Sequence, residues 1–283
     1  MKTFLFIIFQ YLCPQHLLSR AAGALADCRI TWLKNFLIKL FIQKFSVDMS
    51  EAEEEDYTRY ACFNDFFVRA LKKDARIIDT APHSFACPAD GAVSQCGPIS
   101  AGNIFQAKGR DFSADELLGG NTSLADTFRN GLFTTIYLSP KDYHRLHMPV
   151  DGTLISMTHV PGQLFSVNPA TTENVPRLFA RNERLVCVFE TEFGPMALVL
   201  VGAMIVASIE TTWAGLVAPA GKQISTHNYK GPEISFRKGE EFARFKLGST
   251  IIALLPEGCA EWQDSFKANA CVKMGSPIAN LTP

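Results

Sequence analysis

A serine that follows a glycine can turn on its own chain. Gly248 and Ser249 stand in Phe245-Lys246-Leu247-Gly248-Ser249-Thr250-Ile251-Ile252, a run that is otherwise strand-like. Glycine leaves its carbonyl carbon uncrowded and permits strained backbone. The neighbouring hydroxyl can attack that carbon once a base removes its proton. Read alone, Gly-Ser is equally a turn pair. Two histidines, His144 and His147, lie three residues apart in Tyr143-His144-Arg145-Leu146-His147-Met148-Pro149-Val150-Asp151-Gly152. Neutral imidazole accepts a proton near pH 7, although a buried structural role also suits each histidine. As metal ligands the pair is incomplete, since no third ligand stands out, and no metal is expected. Asp90, in Cys87-Pro88-Ala89-Asp90-Gly91-Ala92-Val93, offers a carboxylate that can orient an imidazole or shape a turn.

Together these three segments resemble the phosphatidylserine decarboxylases, membrane-bound enzymes that make their own pyruvoyl cofactor. The likeness runs through nearly the whole chain. It includes Phe63-Asn64-Asp65-Phe66-Phe67-Val68-Arg69, Leu178-Phe179-Ala180-Arg181-Asn182-Glu183-Arg184 and Val201-Gly202-Ala203-Met204-Ile205-Val206. The length and short leader are similar to the compact bacterial form. Ala207 stands where that family usually has glycine, and Phe242-Ala243 where it usually has Met-Gly.

The resemblance implies roles. Ser249 would be the nucleophile, His147 its base, and Asp90 the carboxylate that accepts a hydrogen bond from the far imidazole nitrogen. Attack on the Gly248 carbonyl, followed by β-elimination, would release residues 1–248 and leave residues 249–283 starting with a pyruvoyl group. That group would replace bound pyridoxal phosphate. It would form a Schiff base with phosphatidylserine, and loss of carbon dioxide would give phosphatidylethanolamine. His144 would return a proton to the former α-carbon. The two chains would stay together, and a homodimer is what the family leads one to expect. Two other readings stay open from the residues themselves. One is a Ser-His-Asp lipid hydrolase with intact Ser249, although the Gly-x-Ser-x-Gly elbow is absent. The other is a lipid-binding module without chemistry.

Elements must bring these distant residues together. From residue 85 onward, short β-branched and aromatic runs alternate with Gly, Pro and Asn clusters. This predicts strands over 133–138, 152–155, 185–190, 197–209, 215–217, 234–236 and 250–255, and a helix after Ser113. The expected class is α+β, a mainly antiparallel β catalytic body (74–283) behind an N-terminal helical membrane-associating region (1–73). In the latter, Phe4 to Phe9 open an apolar run too short to cross a bilayer. Lys2, that run and Ala24-Leu25-Ala26 also compose the parts of a signal peptide, but with a long polar gap before the cleavage site. Residues 29–45 predict a helix with Trp32, Leu33, Phe36, Leu37, Leu40, Phe41 and Phe45 on a broad face. Lys34, Lys39 and Lys44 would sit at its margins, at lipid phosphates. A further helix is expected from Asp48 through the acidic run to Asp56, continuing towards residue 73.

A formal net charge of −1 gives no sign of a nucleic-acid surface. The eight scattered cysteines form no Cys-x-x-Cys pair and read as reduced, mostly buried thiols in a cytosolic setting. With the resemblance, this places the protein peripherally on the cytoplasmic face of a bacterial inner membrane.

Overall fold

The computed structural model describes residues 2–204, 208–231, 233–246 and 249–282. It is an α+β structure in which every paired strand is antiparallel to its neighbours. In the largest sheet the order runs Ser225–Asn228, Gly152–Val160, Arg184–Thr191, Gly194–Val201, Ser249–Leu255, Leu132–Leu138, Gly91–Pro98 and Cys271–Val272. Strand Ser249–Leu255 is thus interior, paired on one side with Leu132–Leu138 and on the other with Gly194–Val201.

The central strands are apolar on both faces because both are covered. Leu185, Cys187, Phe189, Leu198, Leu200 and Ile251 share one cluster with Leu146, Ile209, Phe242 and Phe245. The last four come from a second sheet, ordered Gly215–Ala218, Ser208–Thr211, Glu241–Lys246 and Arg145–His147. On the other face, Val186, Val188, Val199, Ile252 and Leu254 meet Leu117, Phe128, Leu178 and Phe179 from short helical segments and loops. Ser113 caps one of those helices, Ala114–Leu117, by accepting from the Glu116 N–H at 3.0 Å. Phe242, at a position that departs from the family pattern, packs edge-to-face on Phe189 with ring centroids 5.8 Å apart. Ala207 lies outside the described residues.

The strand expected over 197–209 is two elements, Gly194–Val201 and Ser208–Thr211, which belong to different sheets. The N-terminal region holds helices α1 (Lys2–Leu12), α2 (Gln15–Ala26), α3 (Thr31–Phe45) and α4 (Phe63–Phe67). No helix among the described residues is long and apolar enough to cross a membrane.

Two expectations fail here. No helix starts at Asp48. The Asp48 carboxylate instead accepts from the N–H and hydroxyl of Ser50, a turn closed by its own side chain. The chain then pairs back on residues 70–72 through Glu53 N–H to Ala70 O and Lys72 N–H to Glu51 O. Lys34 is not at a margin either. It is buried, its Nζ donating to Thr58 O at 2.8 Å and Asn35 Oδ1 at 2.7 Å, which satisfies the ammonium inside the protein. Trp32, Phe36 and Leu40 are exposed, whereas Ile38 is buried.

Candidate active site

The register of the large sheet sets the site. Ala92, Tyr137 and Thr250 lie in one row across three adjacent strands, and Ser249 pairs with Leu138. The Asp90 segment therefore enters the sheet two strand spacings, about 10 Å, from the strand that begins at Ser249. Gly91 makes that approach feasible: a Cβ there would stand 2.4 Å from Tyr137 O. Leu247 and Gly248 lie outside the described residues, and Ser249 is described by its backbone.

The second sheet brings in the histidines. His147 pairs with Glu241, and His144 O accepts from Phe245 N–H, two residues before Leu247. His147 N–H donates to Pro88 O at 2.9 Å, tying this strand to the Asp90 segment. His147 is thus tied to the segment that carries Asp90, and His144 lies beside Phe245 on the neighbouring strand.

The hydrogen bond expected between Asp90 and His147 is not made. Nδ1 of His147 pairs with Gly239 O at 2.8 Å, which fixes the proton on Nδ1. Nε2 then accepts from the Tyr143 hydroxyl at 3.0 Å. Asp90 is held elsewhere. Arg76 Nε donates to it at 2.9 and 3.2 Å and Arg76 Nη2 reaches Oδ2, while Met274 N–H donates at 2.9 Å and Lys273 Nζ at 3.2 Å. A guanidinium can engage both carboxylate oxygens with charge-assisted bonds, a stronger demand than one imidazole N–H. Burial works to raise the Asp90 pKa, but the Arg76 and Met274 hydrogen bonds and the nearby cations outweigh it and hold the carboxyl below its usual range. Burial lowers the His147 pKa, partly offset by Gly239 O, Glu241 and the charge of Asp90.

His144 is fully buried against Phe67 of α4, ring centroids 4.1 Å apart. Its Nδ1 donates to Asp142 O at 2.7 Å, and its Nε2 has no partner among the described residues. Burial pushes its pKa down to about 3, so the ring is neutral and Nε2 is a bare acceptor. Arg69, just beyond α4, is buried with Nε and Nη1 likewise unpartnered, and its Nη2 donates to Lys141 O at 3.1 Å. Asp90, Arg69, Arg76, Lys141 and Lys273 line a cavity of about 180 Å³.

Sequence reasoning missed Tyr143, Gly239, Arg76 and Lys273 as partners. Tyr143 stands in the histidine segment and was legible there. Arg76 and Lys273 carried no local pattern.

The segment 163–168 is fixed by the N-terminal helices. Gln10 Oε1 accepts from Ser166 N–H at 2.8 Å, and Gln15 Oε1 from Leu164 N–H at 2.6 Å. Tyr11 packs on Phe165 at 5.0 Å.

Comparison with known proteins identifies the family. The family profile "Phosphatidylserine decarboxylase" matches residues 63–280, and a second, "PSD", matches residues 5–46. A Pseudomonas putida protein named phosphatidylserine decarboxylase proenzyme is 58% identical over 282 residues, 99% of this chain and 98% of that protein. Proteins of the same name from Ectopseudomonas mendocina and Marinobacter nauticus are 57% and 56% identical, over 99% and 98% of this chain and of 99% and 98% of their own. Near-complete coverage at this identity shows that the chain belongs to the phosphatidylserine decarboxylase family and is a decarboxylase.

Proposed function

We propose that this chain is a proenzyme that cuts itself between Gly248 and Ser249 and then removes carbon dioxide from phosphatidylserine, giving phosphatidylethanolamine. The observation that carries the reading is the place of Ser249. It is the first residue of an interior strand whose next five residues are paired on both sides. A break before it would leave residues 249–283 anchored in the sheet.

In the cleavage step, His147 takes the hydroxyl proton of Ser249. Gly239 O holds the tautomer that makes Nε2 the acceptor, the task expected of Asp90, and the Tyr143 hydroxyl that Nε2 now accepts gives way to that of Ser249. Asp90 contributes its charge, which favours the imidazolium, without touching the ring. The Ser249 oxygen attacks the Gly248 carbonyl carbon, and the C–N bond breaks as its nitrogen takes the proton from His147, leaving an ester. Loss of the Ser249 α-proton then expels residues 1–248 as a carboxylate, and water hydrolyses the resulting enamine, releasing ammonia and leaving the pyruvoyl oxygen.

The new terminus suits a pyruvoyl group, because position 249 stays registered on Leu138 at the start of an interior strand, and in this reading the bare Nε2 of His144 serves it. Such a group supplies an electron sink for the carbanion that departing carbon dioxide leaves. His144, neutral at physiological pH, donates at Nε2 only a proton it has first accepted. The substrate ammonium must lose a proton before its nitrogen can attack a carbonyl, and Nε2 takes it. The substrate carboxylate beside the ring raises its basicity while it holds the proton. Nε2 then returns the proton to the α-carbon. Phe67 and burial keep water from the ring.

The exposed apolar residues of α1 to α3 lie on the membrane surface in this reading, which suits a lipid substrate. Intact-mass measurement tests the whole proposal. The wild type gives two chains, the smaller beginning at residue 249 and lacking ammonia, and Ser249→Ala gives one. A long-incubated wild type that stays whole while decarboxylating the lipid overturns it.

A further inference from the structure

The two partners of the His147 ring are not equivalent. Nδ1 donates to Gly239 O at 2.8 Å, and Nε2 accepts from the Tyr143 hydroxyl at 3.0 Å. A phenol hydroxyl donates or accepts, so it fits either tautomer of a neutral imidazole, whereas a carbonyl only accepts. Gly239 O is therefore the partner that decides which nitrogen carries the proton. Its placement decides whether Nε2 can serve as a base.

Gly239 lies in a turn, 237–240, where Glu240 N–H donates to Arg237 O at 3.0 Å. Met148 fixes part of this turn. Gly239 N–H donates to Met148 O, and Met148 N–H to Glu240 O, both at 2.8 Å. Residues 78 and 79, which belong to no helix or strand, supply further contacts. Gly239 has a φ of +85°, and a Cβ there would stand 2.8 Å from Ile78 Cγ2 and 3.1 Å from Cγ1. Ile78 thus packs on the bare Cα, in the space a side chain would need. Asp79 grips the residue before it: its Oδ2 accepts from Lys238 Nζ at 3.2 Å and from the Ser84 hydroxyl. The Ser84 hydroxyl, and then Lys238, outweigh burial and hold the Asp79 carboxyl below its usual range. The ion pair is therefore intact at neutral pH.

The same segment is anchored elsewhere, so it offers the turn a fixed support. Arg76 binds Asp90 and Glu51. Asp79 N–H donates to Gly275 O at 2.9 Å. A Cβ on Gly275 would meet Ile77 O at 2.6 Å and Ile78 Cδ1 at 2.7 Å. Ile78 thus divides its contacts. Its Cγ2 and Cγ1 lie closest to Gly239, and its Cδ1 lies against Gly275.

We propose that Ile78 and Asp79 are positioning residues for the self-cleavage: they hold the 237–240 turn so that Gly239 O keeps the proton on Nδ1 of His147 and Nε2 stays an acceptor for Ser249. The inference rests on the proposed scission. Neither residue touches a reacting atom, and both act through Gly239.

The test reads the ring directly. The full-length Ser249→Ala chain, which stays whole, is made with isotope-labelled histidine, and an NMR correlation of ring protons with ring nitrogens separates the two neutral tautomers. The signals of His147 are those lost in His147→Gln. With Ile78 and Asp79 in place, His147 carries its proton on Nδ1 alone. Ile78→Ala removes both γ carbons and gives a mixture of tautomers. In the chain with Ser249 intact, Ile78→Ala slows scission by about threefold to tenfold, the worth of one hydrogen bond. Gly239 O also partly offsets the lowering of the His147 pKa by burial, so its loss moves the acid limb of the scission rate to lower pH. Ile78→Val keeps both γ carbons and loses only Cδ1, and it restores the single tautomer and the rate. A folded Ile78→Ala with the parent tautomer overturns the proposal, as does an Ile78→Val that behaves like Ile78→Ala. If Ile78→Ala does not fold, Asp79→Ala is read in its place, and a single unchanged tautomer there overturns the proposal. The spectra need no scission. A chain with Ser249 intact that holds one tautomer, gives the mixture in Ile78→Ala and yet never cleaves removes the self-cleavage reading and leaves the hold on His147 standing.

Discussion

The Asp90 carboxylate accepts the backbone N–H of Met274 at 2.9 Å, and Lys273 Nζ reaches it at 3.2 Å. One partner lies before the Gly248–Ser249 bond and the others after it, so this contact joins the two chains that scission would create. Asp90 also keeps the buried Arg76 guanidinium compensated, together with Glu51. Asp90→Ala should therefore destabilise the protein by about 3–5 kcal/mol, the cost of a buried charge stripped of a partner. Urea unfolding of the cleaved enzyme, with release of the small chain followed by size-exclusion chromatography, measures it. The folded carboxyl pKa lies below the unfolded one, so this stabilisation is complete above about pH 4 and disappears as pH falls through the folded value. A midpoint for Asp90→Ala equal to wild type at pH 7 would show that the clamp does not hold the chains.

His147 and Tyr143 separate by magnitude. His147→Ala removes the general base and should slow chain scission by about 10²–10⁴-fold. Tyr143→Phe removes only the hydroxyl donor to Nε2, so His147 remains neutral, held by Gly239 O, and scission should slow by less than about tenfold. The appearance of the small chain over time, read by gel or mass, gives both rates. A Tyr143→Phe variant as slow as His147→Ala would place the tyrosine hydroxyl itself in the proton transfer.

Much of this site was legible in the sequence, because the histidine segment, Asp90-Gly91 and Gly248-Ser249 each carry a local pattern. The structure ties the His147 strand to the Asp90 segment through Pro88 O, while Gly248 lies outside the described residues. The partners of Asp90 were not legible. Arg76 comes from a loop, and Met274 contributes only a backbone N–H, which no side-chain pattern encodes. The failed helix over 48–56 has a similar cause: acidic residues suit a helix start, but Asp48 closes a turn with its own side chain. Lys34 reads as a lipid-facing cation by periodicity alone, and only tertiary structure brings Thr58 O to it. Strands were easier, since the two-sided core makes their apolar runs continuous.

The neutral state of His144 predicts a pH signature of stability. Its folded pKa is about 3, below the ordinary 6.5, so between those values the unfolded chain binds more protons. The stabilisation is complete above about pH 6.5 and is lost as pH falls towards 3, by about 1.4 kcal/mol per pH unit within that window. From pH 6.5 to 5 this amounts to about 2 kcal/mol. His144→Phe removes the titrating group, and its stability should fall less over the same interval. Thermal or urea unfolding of both proteins at several pH values supplies the comparison. Parallel curves would mean that His144 does not titrate on unfolding.

The N-terminal helices divide into residues that hold the fold and residues that face outward, and the division can be tested within one helix. On α3, Ile38 is fully buried, while Trp32 and Phe36 are 71% and 59% exposed. Ile38→Ala should cost about 2–5 kcal/mol of folding stability. Trp32→Ala with Phe36→Ala should change stability little, because neither ring is in the core. It should weaken binding to anionic phospholipid vesicles, where each inserted side chain contributes about 1.5–3 kcal/mol when fully withdrawn from water. Sedimentation with vesicles reports the partition, and thermal unfolding in buffer reports the fold. Lys39→Glu and Lys44→Glu, both at exposed positions, should add a salt-sensitive loss. Lys34→Met should instead disturb packing around Thr58, since its ammonium is spent inside the protein. If the double aromatic variant sediments with vesicles as fully as wild type, α3 is not a lipid-contacting surface.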